Sequence, residues 1–286
     1  MIQGKTFSVL MSVYKNDKPN QLKVALDSIY DNQTLKPSEI ILMIDGPISD
    51  ELENVVSMKI EECDVLKVFK QEVNLGLGKT LNNGLKHCTN EIVARMDADD
   101  ISMPERFEKE FEAMMSNDLD IVGSNVAEFC EDPEKIVAYR VLPSDDVDIK
   151  KYLRSRSPFS HPSVMFKKSA VEKAGGYQDL HYCEDYFLWV RMALANAKMQ
   201  NINDNLVKMR ITTDTYMRRA GYKYYKSHKT LFKFMRKNKM ISYFCYLKNL
   251  LVRFFAEVII SNKTRQKLYK KHLRKENTCG TSSGKE

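Results

Sequence analysis

The chain has 286 residues, of which 43% are hydrophobic and 29% charged, and a formal net charge of +7. That length excludes a minimal module, and six scattered cysteines (Cys63, Cys88, Cys130, Cys183, Cys245, Cys279) with no CxxC pair argue against a zinc knuckle or a disulfide scaffold. The charge is uneven: residues 1–204 hold 24 Lys/Arg against 34 Asp/Glu, whereas residues 205–275 hold 20 against 2, so an acidic body carries a basic appendage.

Strand and helix signals alternate at short intervals from the start. Thr6 to Tyr14 is a β-rich run, followed by an amphipathic stretch with Leu22, Ala25, Leu26 and Ile29 at helical spacing. Glu39 to Asp45 reads as a buried strand ending in Asp-Gly-Pro, Glu51 to Cys63 as a helix, and Leu66 to Gln71 as a third strand. A helix is expected from the glycines after Asn74 to His87, and a fourth strand over Glu91 to Met96. Such repeated βα units imply a mixed, mainly parallel sheet flanked by helices, with ligands bound beyond the carboxyl ends of the strands. Pro104 opens a helix with Phe107, Phe111, Met114 and Met115 on one face. Strands are expected near 121–129 and 136–142, a loop over 157–162, a short strand over 163–166, and a helix from about Glu184 to Asn196 that closes the acidic body. From Tyr216 the chain reads as basic and helical, and residues 277–286 read as a disordered end. The start of the chain lacks a basic stretch, apolar run and cleavage site in series, so a cytoplasmic location is expected.

The strand ends carry the candidate chemistry. Asp97, Asp99 and Asp100 follow an apolar strand, where three carboxylates within four residues repel one another unless a cation or hydrogen-bond donors compensate. A hard divalent cation, Mn²⁺ or Mg²⁺, is the natural partner, and the small Ala98 permits a tight turn. The alternative is a solvated acidic turn before the next helix. Asp45 either accepts hydrogen bonds from a base or stabilises the turn through Gly46 and Pro47. Asn74 to Lys79 resembles a phosphate loop, with Gly76 and Gly78 before a helix start and Lys79 in its first turn, but lacks the Walker spacing.

Taken together, Ser8 to Tyr14, Asn74-x-Gly76 continuing to Asn82-x-Gly84, Asp97-Ala98-Asp99-Asp100 and Glu184-Asp185 resemble the inverting glycosyltransferases of family two, over roughly residues 5–210. Ser160 to Phe166 and Glu184-Asp185-Tyr186-x-Leu188-Trp189 look like the bacterial transferases that build O-antigen, capsule and exopolysaccharide. The resemblance implies an α/β GT-A fold, Rossmann-like and nucleotide-sugar-binding. It places Ser12, Val13 and Tyr14 along the nucleotide pocket, Asp45 on the uracil, and Asn74, Gly76 and Lys79 near the diphosphate. Asp97 and Ala98 then lie at the donor, with Asp97 on the ribose or a metal-bound water, and Asp99 is the direct metal ligand. It matches Glu184-Asp185 to the catalytic base, with Asp185 preferred, although Glu184 alone also suits a helix N-terminus. His161 and Trp189 are acceptor-side candidates, with packed core residues as the alternative. The QxxRW motif of processive synthases is absent after Glu184-Asp185, which implies single sugar addition.

The expected organisation is a catalytic domain over 1–210, with its donor half over about 1–100 and acceptor half over about 101–210, then a basic amphipathic helical extension over 211–276 and the tail. Within the extension, Ile241 to Ile260 is long enough to raise a membrane span, but Lys248, Arg253 and Glu257 would cost about 8 to 10 kcal/mol near the bilayer centre against a return of about 3 to 7. An interfacial helix avoids that cost, with Met240, Phe244, Leu247, Leu251, Phe254 and Val258 on one stripe and residues 216–275 meeting anionic lipid. The competing arrangement packs the stripe onto the acidic body. Nucleic acid fits the first 200 residues poorly. The functional expectation is therefore transfer from a UDP-sugar to a glycan acceptor on a lipid diphosphate, at the cytoplasmic face of the inner membrane. The alternatives are a sugar-nucleotidyltransferase, which should carry a Gly-rich basic loop after strand one, and a non-catalytic peripheral membrane protein.

Overall fold

The computed structural model describes residues 5–212, 220–260 and 264. Its framework is a nine-stranded sheet, and its first half follows the sequence closely. β1 (Ser8–Val13), β2 (Glu39–Ile44), β3 (Leu66–Lys70) and β4 (Ile92–Met96) lie in the order β3-β2-β1-β4 and pair in parallel. They are joined through α1 (Pro19–Ile29), α2 (Asp50–Glu62) and α3 (Leu77–His87). Side chains alternate across the pleat, so Val9, Met11 and Val13 join one core with Leu22, Leu26, Leu52 and Val56, while Leu10 joins another with Leu81 and Leu85. Helices thus cover both faces, which is why β2 (EIILMI) and most of β1 and β4 are apolar and buried. The fit of α3 depends on Gly84, where a Cβ would stand 2.4 Å from Leu10 Cδ1 and 2.9 Å from Met43 Cγ.

The second half is mixed. After the two-residue β5 (Ile101–Ser102) and α4 (Arg106–Ser116) come β6 (Ile121–Phe129) and β7 (Ile136–Arg140). α5 (Asp146–Tyr152), a 3₁₀ turn over His161–Ser163, β8 (Met165–Lys167), α6 (Lys168–Lys173), α7 (Glu184–Leu194) and β9 (Met199–Arg210) follow. β8 is antiparallel to both β4 and β6, and β9 runs parallel to β6 along its whole length before pairing with β5. Helix 184–196 therefore does not close the body, because β9, α5 and α6 were not expected from pattern. The run Asn201 to Asn205 is polar apart from Ile202 and carries a bulge, with Asn201, Ile202 and Asn205 paired to β6.

On α4, Phe107, Phe111 and Met114 are buried as expected, but Met115 is 49% exposed, one helical step off the stripe. Arg106 is fully buried there, with Nε on both Glu110 oxygens (3.0 and 3.1 Å) and Nη2 donating to the Arg95 carbonyl at 2.8 Å, which pins α4 beneath β4. Burial raises Glu110 to about 7 even with Arg106 beside it.

Two further helices, α8 (Tyr222–Lys237) and α9 (Tyr243–Phe254), end in a π turn at Phe255–Ile259. Leu231, Phe232, Met235 and Ile241 join the core that contains Leu188, Trp189 and Met192, so this pair packs on the body. Each such buried side chain contributes about 1.5–3 kcal/mol. The outward stripe differs from expectation: Phe244, Leu247 and Leu251 are exposed, joined by Phe255 and Ile259, while Met240, Phe254 and Val258 are partly buried. Residues 213–219 and the tail 277–286, with Cys279, lie outside the described residues.

Candidate active site

At the carboxyl end of β4, Asp97, Asp99 and Asp100 bring ligand oxygens within 4.8 Å of one another. Asp97 and Asp99 are half-buried and Asp100 is buried. Burial, reinforced by the charge of Asp97, raises the Asp99 carboxyl to about 6, and burial with Asp99 and Asp97 holds Asp100 well above the ordinary carboxylate range. Such a set fits a hard divalent cation, whose charge relieves that repulsion. The three members are not equivalent. Asp100 Oδ1 accepts from the Arg210 amide at 2.7 Å, and Arg210 Nε donates to the Asp99 carbonyl at 3.1 Å, so β9 holds the turn from behind. Asp97 contacts the guanidinium of Arg95 directly, and Arg95, on β4, is buried with its Nε and Nη1 lacking partners. Among the three, only Asp97 is in contact with a side-chain cation, and the Asp100 carboxylate is bound by the Arg210 backbone amide. Ala98 is buried in the core beneath the turn.

A second loop meets the end of β2. Asp45 accepts from the Leu75 amide at 2.7 Å and the Gly76 amide at 3.1 Å, and its carbonyl accepts from Asn74 Nδ2 at 3.1 Å. The carboxylate therefore anchors the 74–76 segment, and a base ring would have to share its oxygens. Gly46, at φ +81°, is required by the same contact, since a Cβ there would stand 2.6 Å from the Asn74 nitrogen. Gly76, at φ +84°, starts α3, and Lys79 is exposed in the first turn. Ser12 and Tyr14 are half-buried at the end of β1, the Tyr14 amide donating to Asp17 Oδ2 at 2.9 Å, whereas the Val13 side chain is buried in the core and turned from any pocket.

The start of α7 supplies Glu184 and Asp185, both half-buried. Burial, with a push from Asp185, raises Glu184 to about 7, against the stabilising effect of backbone amides. A Cβ on Gly78 would lie 3.4 Å from Glu184 Cγ and 3.5 Å from Tyr177 Cβ, so the first turn of α3 packs against the Glu184 side chain. Tyr177 occupies the space between: its hydroxyl is 2.9 Å from His161 Nε2, and its raised pKa arises from burial, with added repulsion from Asp185 and Asp97. Asn82 fastens this arrangement, its amide bonded to both the Tyr177 carbonyl (2.7 Å) and the Tyr177 amide (2.8 Å). Burial and Arg95 push His161 well below its ordinary value, so its imidazole is neutral.

Trp189 is fully buried, edge-on to Phe159 at 5.6 Å and to His161 at 6.0 Å. It cannot present a ring face to a sugar, so the acceptor role expected for it is corrected to core packing one helical turn below Asp185. Sequence reasoning missed Arg95, Tyr177 and Arg210. The first had a signal, an arginine inside an otherwise apolar strand, and the second follows the Gly175-Gly176 turn; nothing local marked Arg210.

The sequence profile described as glycosyl transferase family 2 matches residues 8–175. The chain belongs to that family. This family 2 glycosyltransferase is 41% identical over 228 residues to the amylovoran biosynthesis glycosyltransferase AmsE of Erwinia amylovora, covering 79% of this chain and 84% of the relative. It is 39% identical over 271 residues to the UDP-Gal:alpha-D-GlcNAc-diphosphoundecaprenol beta-1,3-galactosyltransferase of Escherichia coli, covering 94% and 97%. Among solved structures, it matches Staphylococcus aureus TarS 1-349 in complex with UDP-GlcNAc with a TM-score of 0.64 at 17% identity, covering 94% of this chain and 76% of that one. That likeness places the chain in the GT-A fold.

Proposed function

We propose that this glycosyltransferase transfers a sugar from a UDP-sugar to a hydroxyl of a lipid-diphosphate-linked glycan in bacterial surface polysaccharide synthesis, inverting the anomeric centre to give a β-linkage. The observation that carries the reading is the acidic cluster Asp97, Asp99 and Asp100 at the end of β4 together with Glu184-Asp185 at the start of α7, both close enough to the buried Tyr177 for the charges of Asp97 and Asp185 to raise its pKa.

Asp99 and Asp97 would hold Mn²⁺ or Mg²⁺, which when bound supplies charge stabilisation to the departing diphosphate. Asp185 takes the proton of the acceptor hydroxyl as its oxygen bonds to the anomeric carbon and the bond to UDP breaks on the opposite face, a contribution of roughly 10² to 10⁴ in rate. In-line displacement inverts the configuration. Ser12, Tyr14 and Asp45 lie where the nucleotide base would enter, and the start of α3 with Lys79 lies where the diphosphate would sit, since free helix amides and a lysine favour an anion. His161 is the acceptor-side candidate that remains.

A lipid-linked acceptor requires work at a membrane surface. No described helix is long and apolar enough to cross a membrane. The exposed row Phe244, Leu247, Leu251, Phe255 and Ile259, beside exposed Lys233, Arg236, Lys237, Lys239 and Lys248, suits insertion into an anionic bilayer surface, at the cytoplasmic face of the inner membrane. The test is a donor screen with purified protein, Mn²⁺ and a synthetic lipid-diphosphate GlcNAc or GalNAc acceptor, read by mass spectrometry. One UDP-sugar should give a product heavier by one sugar residue, and transfer only from other nucleotide sugars would overturn the donor assignment.

A further inference from the structure

The C-terminal helices bury polar groups that the donor site does not use. His228 on α8 and Glu257 in the π turn are each 1% exposed, with His228 Nδ1 3.1 Å from Glu257 Oε1. Arg253 Nη1 reaches the same oxygen at 3.1 Å, while its Nη2 donates to the Ser155 carbonyl at 2.9 Å. Asn249 Nδ2 donates to the Arg154 carbonyl at 2.8 Å. Well-packed apolar residues would stabilise such a junction as well or better, so a buried charged network calls for another reason.

The network leads to the start of α7. His228 Nε2 lies 3.9 Å from Sγ of Cys183, the N-cap residue immediately before Glu184. The His228 ring also lies edge-on to Tyr186, whose hydroxyl donates to the Leu153 carbonyl at 2.6 Å, and Phe234 of α8 meets Phe187 edge-on at 4.9 Å. Residues 183, 186 and 187 bracket Glu184 and Asp185, so α8 grips the first turn of α7 on both sides of the carboxylates. Burial and Arg253 lower His228 to about 4, leaving a neutral ring, and burial keeps the Cys183 thiol protonated. The Glu257 oxygen 3.1 Å from Nδ1 lies outside hydrogen-bond geometry but favours the ring proton on that side, which leaves the Nε2 lone pair facing the thiol. Cys183 has no side-chain bond to the amides of its own helix; its backbone is tied to the Leu180 carbonyl (2.7 Å) and the Phe187 amide (2.8 Å), and the Sγ–Nε2 contact adds a link from α8 to the cap.

We propose that His228 is a positioning residue for sugar transfer: held by Glu257, it fixes the N-cap of α7 and with it the direction of the Asp185 carboxylate. This rests on the reading of Asp185 as the base. A small misplacement of such a group costs roughly up to 10²-fold in rate without altering donor binding.

Two substitutions separate the two sides of the ring. His228→Gln carries an amide to the Nε2 position and keeps a partner for Cys183, whereas His228→Asn keeps a partner for Glu257 and abandons Cys183. We expect His228→Asn to lose roughly 10- to 100-fold in kcat with donor KM and metal-dependent UDP affinity unchanged, and His228→Gln to recover most of that loss. Cys183→Ala should give the same loss and add nothing in combination with His228→Asn. Wild-type kcat in His228→Asn, or equal losses of kcat, donor affinity and melting temperature in both His228 variants, would overturn the proposal. If the His228 variants do not fold, Cys183→Ala decides: an unchanged kcat overturns it. Asp185→Asn in the same assay separates the two readings, because retained activity there removes the base assignment itself, whereas an inactive Asp185→Asn beside a fully active His228→Asn removes only the positioning role.

Discussion

The two halves of the sheet hold their carboxylates in different ways. In the parallel half, β1, β2 and β4 end at one edge, with Ser12 in the last residues of β1 and Asp45 and Asp97 immediately after β2 and β4. In the mixed half, Glu184 and Asp185 stand on a helix start whose position depends on residues distant in sequence: Asn82 and Tyr177 on one side, His228 and Phe234 on the other. A metal-binding turn needs flexible oxygen ligands and can sit on a loop, whereas a base must point along one line of attack and gains from a helix clamped on both sides.

That contrast can be broken or sharpened by substitution. The largest expected effect is on the base: Asp185→Asn should lower kcat by roughly 10² to 10⁴ while leaving UDP affinity in the presence of Mn²⁺ unchanged, measured by product formation and calorimetry on one preparation. The pH behaviour of its neighbour comes next. Folding raises Glu184 from 4.5 to about 7, so its stabilising contribution is present below the lower value and lost as pH rises through the upper one. Glu184→Gln should therefore melt higher than wild type at about pH 8 and show no such gain at about pH 4, by thermal denaturation. On the donor side, Asp45→Ala removes the acceptor of two loop amides and should cost about 1 to 3 kcal/mol in urea unfolding, with increased proteolysis between residues 73 and 79. The smallest effect on stability belongs to the outer face of α9: Phe244→Ser with Leu251→Ser should shift unfolding by less than about 1 kcal/mol, yet abolish co-sedimentation with phosphatidylglycerol vesicles.

The parallel half was legible because each of its elements advertises itself locally. A continuous apolar run before Asp-Gly-Pro gives β2, an apolar run interrupted only by Arg95 and ending at Asp97 gives β4, and Leu22, Ala25, Leu26 and Ile29 give α1. β9 was not legible, since Asn201 to Asn205 is polar apart from Ile202 and bulged, and its pairing partner β6 lies about eighty residues earlier. The same distinction divides the site. Asp97, Asp99 and Glu184-Asp185 are motifs within single segments, whereas Arg210 reaches the Asp99 to Asp100 turn only because β9 ends there. Trp189 was misplaced for a related reason: helical spacing put it one turn from Asp185 but could not say which face the core of α8 would cover. The C-terminal stripe shows both outcomes, with Phe244, Leu247 and Leu251 outward and Met240, Phe254 and Val258 partly covered.

The central claim is that the turn after β4 holds the metal through Asp99 while Asp97 and Asp100 are partly committed to Arg95 and Arg210. Calorimetric titration of UDP into wild type and Asp99→Ala, each with and without Mn²⁺, tests it most directly. We expect Mn²⁺ to strengthen UDP binding to wild type by at least about tenfold, a difference of about 1.4 kcal/mol, and this gain to disappear in Asp99→Ala with residual metal-free affinity unchanged. A full Mn²⁺-dependent gain in Asp99→Ala would contradict it.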